Sequence, residues 1–157
     1  MKKVVLMGNP NVGKSVFFAR LTGTRVITSN YPGTTVDFAE GYLHMGNEAY
    51  AIIDAPGTYS LEPANPAEQA AVRILEDADI IVNVIDATNL ERNLYLTLEL
   101  LEKQRPVIIA LNLWDEAQHI GIRLDSTRLE SLLTVPVVCT IALTGEGISR
   151  LVKKIPG

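Results

Sequence analysis

Residues 7–17 read MGNPNVGKSVF, and the reading of this stretch decides the fold. Gly8 to Ser15 match the pattern G-x-x-x-x-G-K-[ST], placed after the apolar run KVVLM and before a helix expected to start near Lys14. A strand-loop-helix context is what the motif requires, and it argues against a chance glycine-rich turn. Gly8 and Gly13 let the backbone wrap closely around phosphate, while the loop amides and the helix N-terminus supply partial positive charge. Lys14 is placed to reach β and γ oxygens and Ser15 to ligate Mg²⁺. The candidate nucleotide-binding segment therefore runs through Gly8, Asn9, Pro10, Asn11, Val12, Gly13, Lys14, Ser15 and Val16. Kinases, ATPases, GTPases and motors all use such a cradle, so the remaining chain must discriminate among them.

Working outward, DIIVNVID (79–86), PVIIALN (106–112) and VPVVC (135–139) are apolar at nearly every position, like KVVLM. Runs of that kind read as strands buried on both faces, as in a parallel sheet covered by helices. Between them, TNLERNLYLTLELLEK (88–103) has helical spacing, with Leu90, Leu94, Leu98 and Leu101 on one expected face and Thr88 with Glu91 as a capping box. Ile148, Leu151, Val152 and Ile155 repeat the helical pattern at the far end. In VDFAEGYLHMGNEAYAIID (36–54), two extended runs flank Gly46 and Asn47, which predicts a hairpin. The expected fold is α/β of the P-loop kind, a mostly parallel sheet of about six strands with one antiparallel edge strand and helices on both faces.

Each buried strand runs into a polar loop, and in open parallel sheets ligands sit beyond the carboxyl ends of the strands. DAPG (54–57) offers Asp54 as a Mg²⁺ holder through water and the Gly57 amide as a γ-phosphate donor; Ala55 and Pro56 complete this candidate switch. NLWD (112–115) closes another strand on the same side. The Asp115 carboxylate can accept from guanine N1 and N2, a donor pair adenine lacks, so it would select GTP over ATP; its competing reading is a helix cap. Asn112 would tie this loop to the phosphate loop. SNYPGTTVDF (29–38) is rich in turn formers and suits a loop that closes over Mg²⁺ and γ-phosphate, with Gly33 as a turn residue. Thr34 and Thr35 are both candidates for the Mg²⁺-binding hydroxyl, and spacing alone does not choose between them.

The chain has 157 residues, enough for one domain burying roughly 70% of its unfolded surface. Its net charge of -4 argues against a nucleic-acid partner. Cys139 is the only cysteine, which excludes an intramolecular disulfide and suggests a reducing compartment. No apolar run approaches the ~20 residues of a membrane helix, so no direct membrane insertion is expected. His44 and His119 show no metal-ligand spacing.

The order of these motifs is that of small regulatory GTPases. DAPGTYSLEP, then VIDATNLERNLYLTLELLE, then PVIIALNLWDEAQHIGIRLD resemble the N-terminal G domain of FeoB, the bacterial ferrous-iron transporter, over essentially the whole chain. Relatives with PGTT that assemble ribosomes or modify tRNA lack the GTYSL and NLYLTLELL pairing. The resemblance implies a GTP/GDP switch, the cytoplasmic domain of a bacterial inner-membrane protein, with helical and membrane-transport domains as partners outside this chain, which reads as an N-terminal piece. It implies Thr35 rather than Thr34 as the switch threonine, because Val36 and Asp37 follow it. It implies Asn11 as a K⁺ ligand, so that Lys14, Asn11, Thr35 and Gly57 carry catalysis with Mg²⁺ and K⁺ as cofactors. Thr58 stands where Ras-type enzymes have glutamine, which implies slow intrinsic hydrolysis. In CTIALTG (139–145) the family commonly has Thr-Ser-Ala, so Thr140, Ile141 and Ala142 form the guanine loop, with the Ala142 amide expected at the guanine carbonyl. Ile141 in place of serine bears on loop rigidity and nucleotide release. A freestanding RNA or ribosome-assembly GTPase, and a nucleotide-binding module with negligible catalysis, are the alternatives.

Overall fold

The computed structural model describes residues 1–23 and 26–157. The strands are β1 (Lys2–Met7), β2 (Val26–Asn30), β3 (Asp37–Met45), β4 (Glu48–Asp54), β5 (Ile80–Asp86), β6 (Val107–Asn112) and β7 (Val137–Cys139). They form one sheet in the order β2-β3-β4-β1-β5-β6-β7. β4, β1, β5, β6 and β7 pair in parallel, whereas β3 pairs antiparallel with both β4 and β2. The helices are α1 (Lys14–Thr22), α2 (Pro66–Glu76), α3 (Leu90–Leu101), α4 (Trp114–His119), α5 (Ser126–Leu133) and α6 (Ile148–Val152).

β1 shows why the sequence folds this way. Val4 and Leu6 point into a core shared with Phe17, Phe18 and Leu21 of α1 and Leu151 of α6. Val5 and Met7 point into a second core with Ile74 and Leu75 of α2 and Leu96 and Leu100 of α3. Side chains alternate across a strand, so a strand with helices on both faces must be apolar at every position. Each fully buried aliphatic side chain contributes roughly 1.5–3 kcal/mol. No helix among the described residues is long and apolar enough to cross a membrane.

Three details differ from the sequence reading. The sheet gains β2, which shares only Ser29 and Asn30 with the loop read at 29–38 and places β3 one position in from the edge. Every residue of β2 is exposed, so no burial pattern marked it. On α3 the buried residues are Asn93, Leu96, Thr97 and Leu100, whereas Leu98 is 55% exposed. The leucine stripe lies beside the true inward face: Leu90, Leu94 and Leu101 pack at the margin of the core. The capping box at Thr88 does not form; a 3-10 turn (Ala87–Asn89) intervenes, and Asp86 accepts from the Thr88 amide at 2.8 Å. The hairpin turn at Gly46 and Asn47 is present, with Met45 paired to Glu48. Cys139, at the end of β7, is half-buried, and this burial pushes its thiol above the usual range despite the opposing Ser126 hydrogen bond and Arg150 charge.

Candidate functional site

The loops after β1, β4, β6 and β7 gather at the carboxyl ends of the parallel strands, as open parallel sheets require. Gly13 caps α1 in a left-handed conformation (φ 82°), and Asn11 also has positive φ (64°). These two reversals turn the loop back on itself. Gly8 lies against β5, where an added Cβ would stand 2.5 Å from the Val84 carbonyl oxygen. Asn9, Asn11, Lys14, Ser15, Pro56 and Gly57 help to line a cleft of about 640 Å³.

Within that cleft, the Lys14 ammonium donates to the Asp54 carboxylate and to the Ala55 carbonyl oxygen. Lys14 can serve a phosphate only by giving up this ion pair. Gly57 sits directly on the phosphate loop: a Cβ there would meet the Pro10 backbone at 3.0 Å. The Thr58 amide donates to the Gly8 carbonyl oxygen at 3.0 Å, which locks the two loops together. The Thr58 side chain is fully buried, and its hydroxyl proton is shared between Ser60 O (2.6 Å) and Glu68 Oε2 (2.9 Å). The hydroxyl is thus committed to the loop and to α2.

Glu68 is a residue the sequence reading missed. Asn65 caps α2 by accepting from the Glu68 amide at 2.8 Å, and Asn65 Nδ2 donates to Glu68 Oε1 at 2.9 Å. With Pro66 at the first helical position, NPAE is an ordinary capping signature that could have been found. Through Thr58 it fixes the end of the DAPG loop to α2.

Between β2 and β3 a tight turn forms. The Thr34 hydroxyl donates to Tyr31 O (2.8 Å) and accepts from the Val36 amide (3.1 Å), so the turn itself uses Thr34. Thr35 is exposed and stands outside the phosphate cleft. Tyr31 and Phe38 pack against the second core, with Arg73 of α2 at 5.9 Å from the Tyr31 ring centre. Gly33 has φ 78° in this turn.

Asn112 organises the opposite side. Its Nδ2 donates to Val12 O at 3.0 Å, and its Oδ1 accepts from Thr140 Oγ1 at 3.1 Å and from the Ala142 amide at 3.0 Å. One side chain, 1% exposed, thereby ties the phosphate loop to the loop after β7. The Ala142 amide expected at the base is thus engaged inward, and must leave or share Asn112 to meet a carbonyl. Ile141 takes part in its loop through its backbone: its amide donates to Glu146 O at 2.9 Å, and its carbonyl accepts from Thr144 and Gly145. A serine hydroxyl is not needed for that network. Asp115 lines a separate cleft of about 580 Å³ with Thr88, Glu116 and His119. The structure therefore brings together the phosphate loop, Asp54, Gly57, Asn112 and Thr140, while Thr35 and Asp115 lie outside the phosphate cleft.

By donor chemistry, Ser15 and Asp54 carry hard oxygens of the kind Mg²⁺ takes beside phosphate and the exposed Asn11 carries a carboxamide oxygen, whereas the Thr35 hydroxyl stands outside the cleft. Among the described residues no group of three or more His, Cys, Asp or Glu forms a soft or self-contained metal site.

A family model described as ferrous iron transport protein B matches residues 2–155. The Fe(2+) transporter FeoB of Salmonella typhimurium is 43% identical over 159 residues, covering 96% of this chain and 21% of that protein. The chain spans about a fifth of the length of such relatives. The cytosolic domain of L. pneumophila FeoB superposes with a TM-score of 0.93 at 42% identity, covering 98% of this chain and 68% of the other. The GMPPNP form of the cytosolic domain of the T. maritima FeoB iron transporter gives 0.93 at 43%, covering 98% and 62%.

Proposed function

The chain belongs to the ferrous iron transport protein B family, and from that premise we propose that it is a GTP-binding and GTP-hydrolysing switch that regulates bacterial ferrous-iron uptake by a longer membrane protein. The observation that carries this reading is Asn112, which couples the phosphate loop to the loop expected to read guanine. Lys14 and the amides of residues 8–15 would bind the phosphates, Asp115 would read the base, and Ser15, Thr35 and Asp54 would hold Mg²⁺. Bound Mg²⁺ would neutralise the β and γ oxygens, and K⁺ at Asn11 would neutralise charge developing during transfer. Gly57 would offer its amide to the γ-phosphate, and Thr35 would leave its exposed position to close the site. With its hydroxyl bonded to Ser60 O and Glu68, Thr58 would not orient water, which favours slow hydrolysis. Helical and membrane-transport domains of the longer protein would receive the switch signal on the cytoplasmic side of the inner membrane.

Single-turnover hydrolysis of GTP and ATP in KCl and in NaCl, with Asn11→Ala alongside, tests this function. GTP-selective cleavage that K⁺ accelerates at least about tenfold, and that loses the acceleration in the variant, is the expected result. Equal rates in both salts would remove Asn11 from catalysis. A second reading, a nucleotide-binding module with negligible catalysis, draws on the burial of Thr58; GDP binding without measurable cleavage would favour it.

A further inference from the structure

Arg20 lies in the last turn of α1, the helix that begins at Lys14. Its Nε donates to the Ala142 carbonyl oxygen at 2.9 Å, and its Nη2 donates to the Leu143 carbonyl oxygen. Gly145, with φ 89°, leaves room for the guanidinium: an added Cβ would stand 3.4 Å from Arg20 Nη1. The stretch 141–146 is otherwise bonded mainly to itself, and Leu143, Thr144 and Glu146 are exposed. Among the described residues, the side chains that reach into it from outside are Asn112, on the Ala142 amide, and Arg20, on the Ala142 and Leu143 carbonyls. Both anchors lead back to the phosphate loop, one through Val12 O and one through α1.

We infer that Arg20 is a positioning residue that sets how long a guanine nucleotide stays bound, by holding the carbonyls of loop 142–143 to the C-terminal end of α1. This inference rests on the nucleotide reading proposed above. Arg20 on Ala142 O fixes the peptide unit after Ala142, and Asn112 on the Ala142 amide holds the unit before it, so together they restrain the residue expected at the base. For a base to leave, the loop must lift away, and lifting it breaks the two Arg20 bonds. These bonds carry a full charge on the donor and act as a fork, a geometry lysine cannot reproduce. Arg20 does not line the phosphate cleft, and its hydrogen bonds go to the 142–143 carbonyls, so its removal acts on release and leaves capture unchanged.

The test is release of a fluorescent GDP analogue from the chain, chased with excess unlabelled GDP, for the unsubstituted protein, Arg20→Ala and Arg20→Lys. Arg20→Ala is expected to release the nucleotide about tenfold faster, with an association rate constant altered less than about twofold; Arg20→Lys, able to reach one carbonyl, is expected between the two. Thermal unfolding of the nucleotide-free proteins accompanies the kinetics. Release from Arg20→Ala within about twofold of the unsubstituted rate overturns the inference. So does a parallel change in capture and release with a large loss of thermal stability and no partial rescue by lysine, because that pattern marks a merely structural role. If the unsubstituted chain does not retain GDP at all, the nucleotide reading fails and this inference falls with it.

Discussion

Asn112→Ala is expected to lower folding stability by roughly 3–5 kcal/mol and to weaken GDP binding by about 100-fold. The side chain is 1% exposed and satisfies three groups: Val12 O, Thr140 Oγ1 and the Ala142 amide. A buried polar group left unpaired costs about 1–3 kcal/mol, and partial relaxation or an entering water recovers some of that. Thr140 is itself fully buried, so it has little access to such relief. The binding loss arises separately, because the variant disconnects the phosphate loop from the guanine loop and lets each drift. Asn112→Asp separates the two effects. It keeps an acceptor for Thr140 and Ala142 but loses the donor to Val12 O and sets a carboxylate against that carbonyl. Urea unfolding and nucleotide competition on both variants provide the check; binding by the alanine variant within about threefold of the unsubstituted chain would show that the tie is dispensable.

Gly147→Ala is the second large effect, and it concerns the fold. Gly147 caps α6 with φ 83°, and a Cβ there would lie 2.1 Å from the Cys139 carbonyl oxygen and 3.1 Å from Thr140 Cα. Both neighbours are backbone at the end of β7, so neither can move aside without displacing Thr140. The expected loss is more than about 4 kcal/mol, a large share of the roughly 5–15 kcal/mol that stabilises a domain. Gly46→Ala is the matched control, since Gly46 also has positive φ (59°) but has open space around it. It should cost only about 1–2 kcal/mol, the strain of a left-handed backbone alone. Equal losses in urea unfolding would mean that the contact with Cys139 is relieved by a shift the structure does not display.

The contrast between these two glycines shows what was legible beforehand. The phosphate loop, the apolar strands and the Gly46–Asn47 turn are local patterns, and each reads directly because the residues that define it are neighbours in sequence. Asn112 donates to Val12 O across 100 residues, and NLWD signals such a position because it ends a buried strand. β2 leaves no mark in the sequence because an exposed strand has no inward side to generate a period. The α3 face was misjudged because leucine is abundant around that helix, while the inward surface includes the polar pair Asn93 and Thr97. Thr97 enters a buried chain of hydrogen bonds: it donates to Asn83 Oδ1 at 2.6 Å, and Asn83 donates to Met7 O at 3.1 Å. Hydropathy cannot register a partner far away in the chain. Arg20 was overlooked for the same reason, since its carbonyl acceptors lie 122 and 123 residues away.

Competition of GDP and ADP against a fluorescent GDP analogue, on the unsubstituted chain and on Asp115→Ala, tests the central claim most directly. The account predicts that GDP displaces the probe at least about 100-fold more effectively than ADP, and that Asp115→Ala removes most of that preference by taking away the acceptor for the guanine N1 and N2 donors. Equal displacement by GDP and ADP from the unsubstituted chain, or an undiminished preference for GDP in Asp115→Ala, would contradict it.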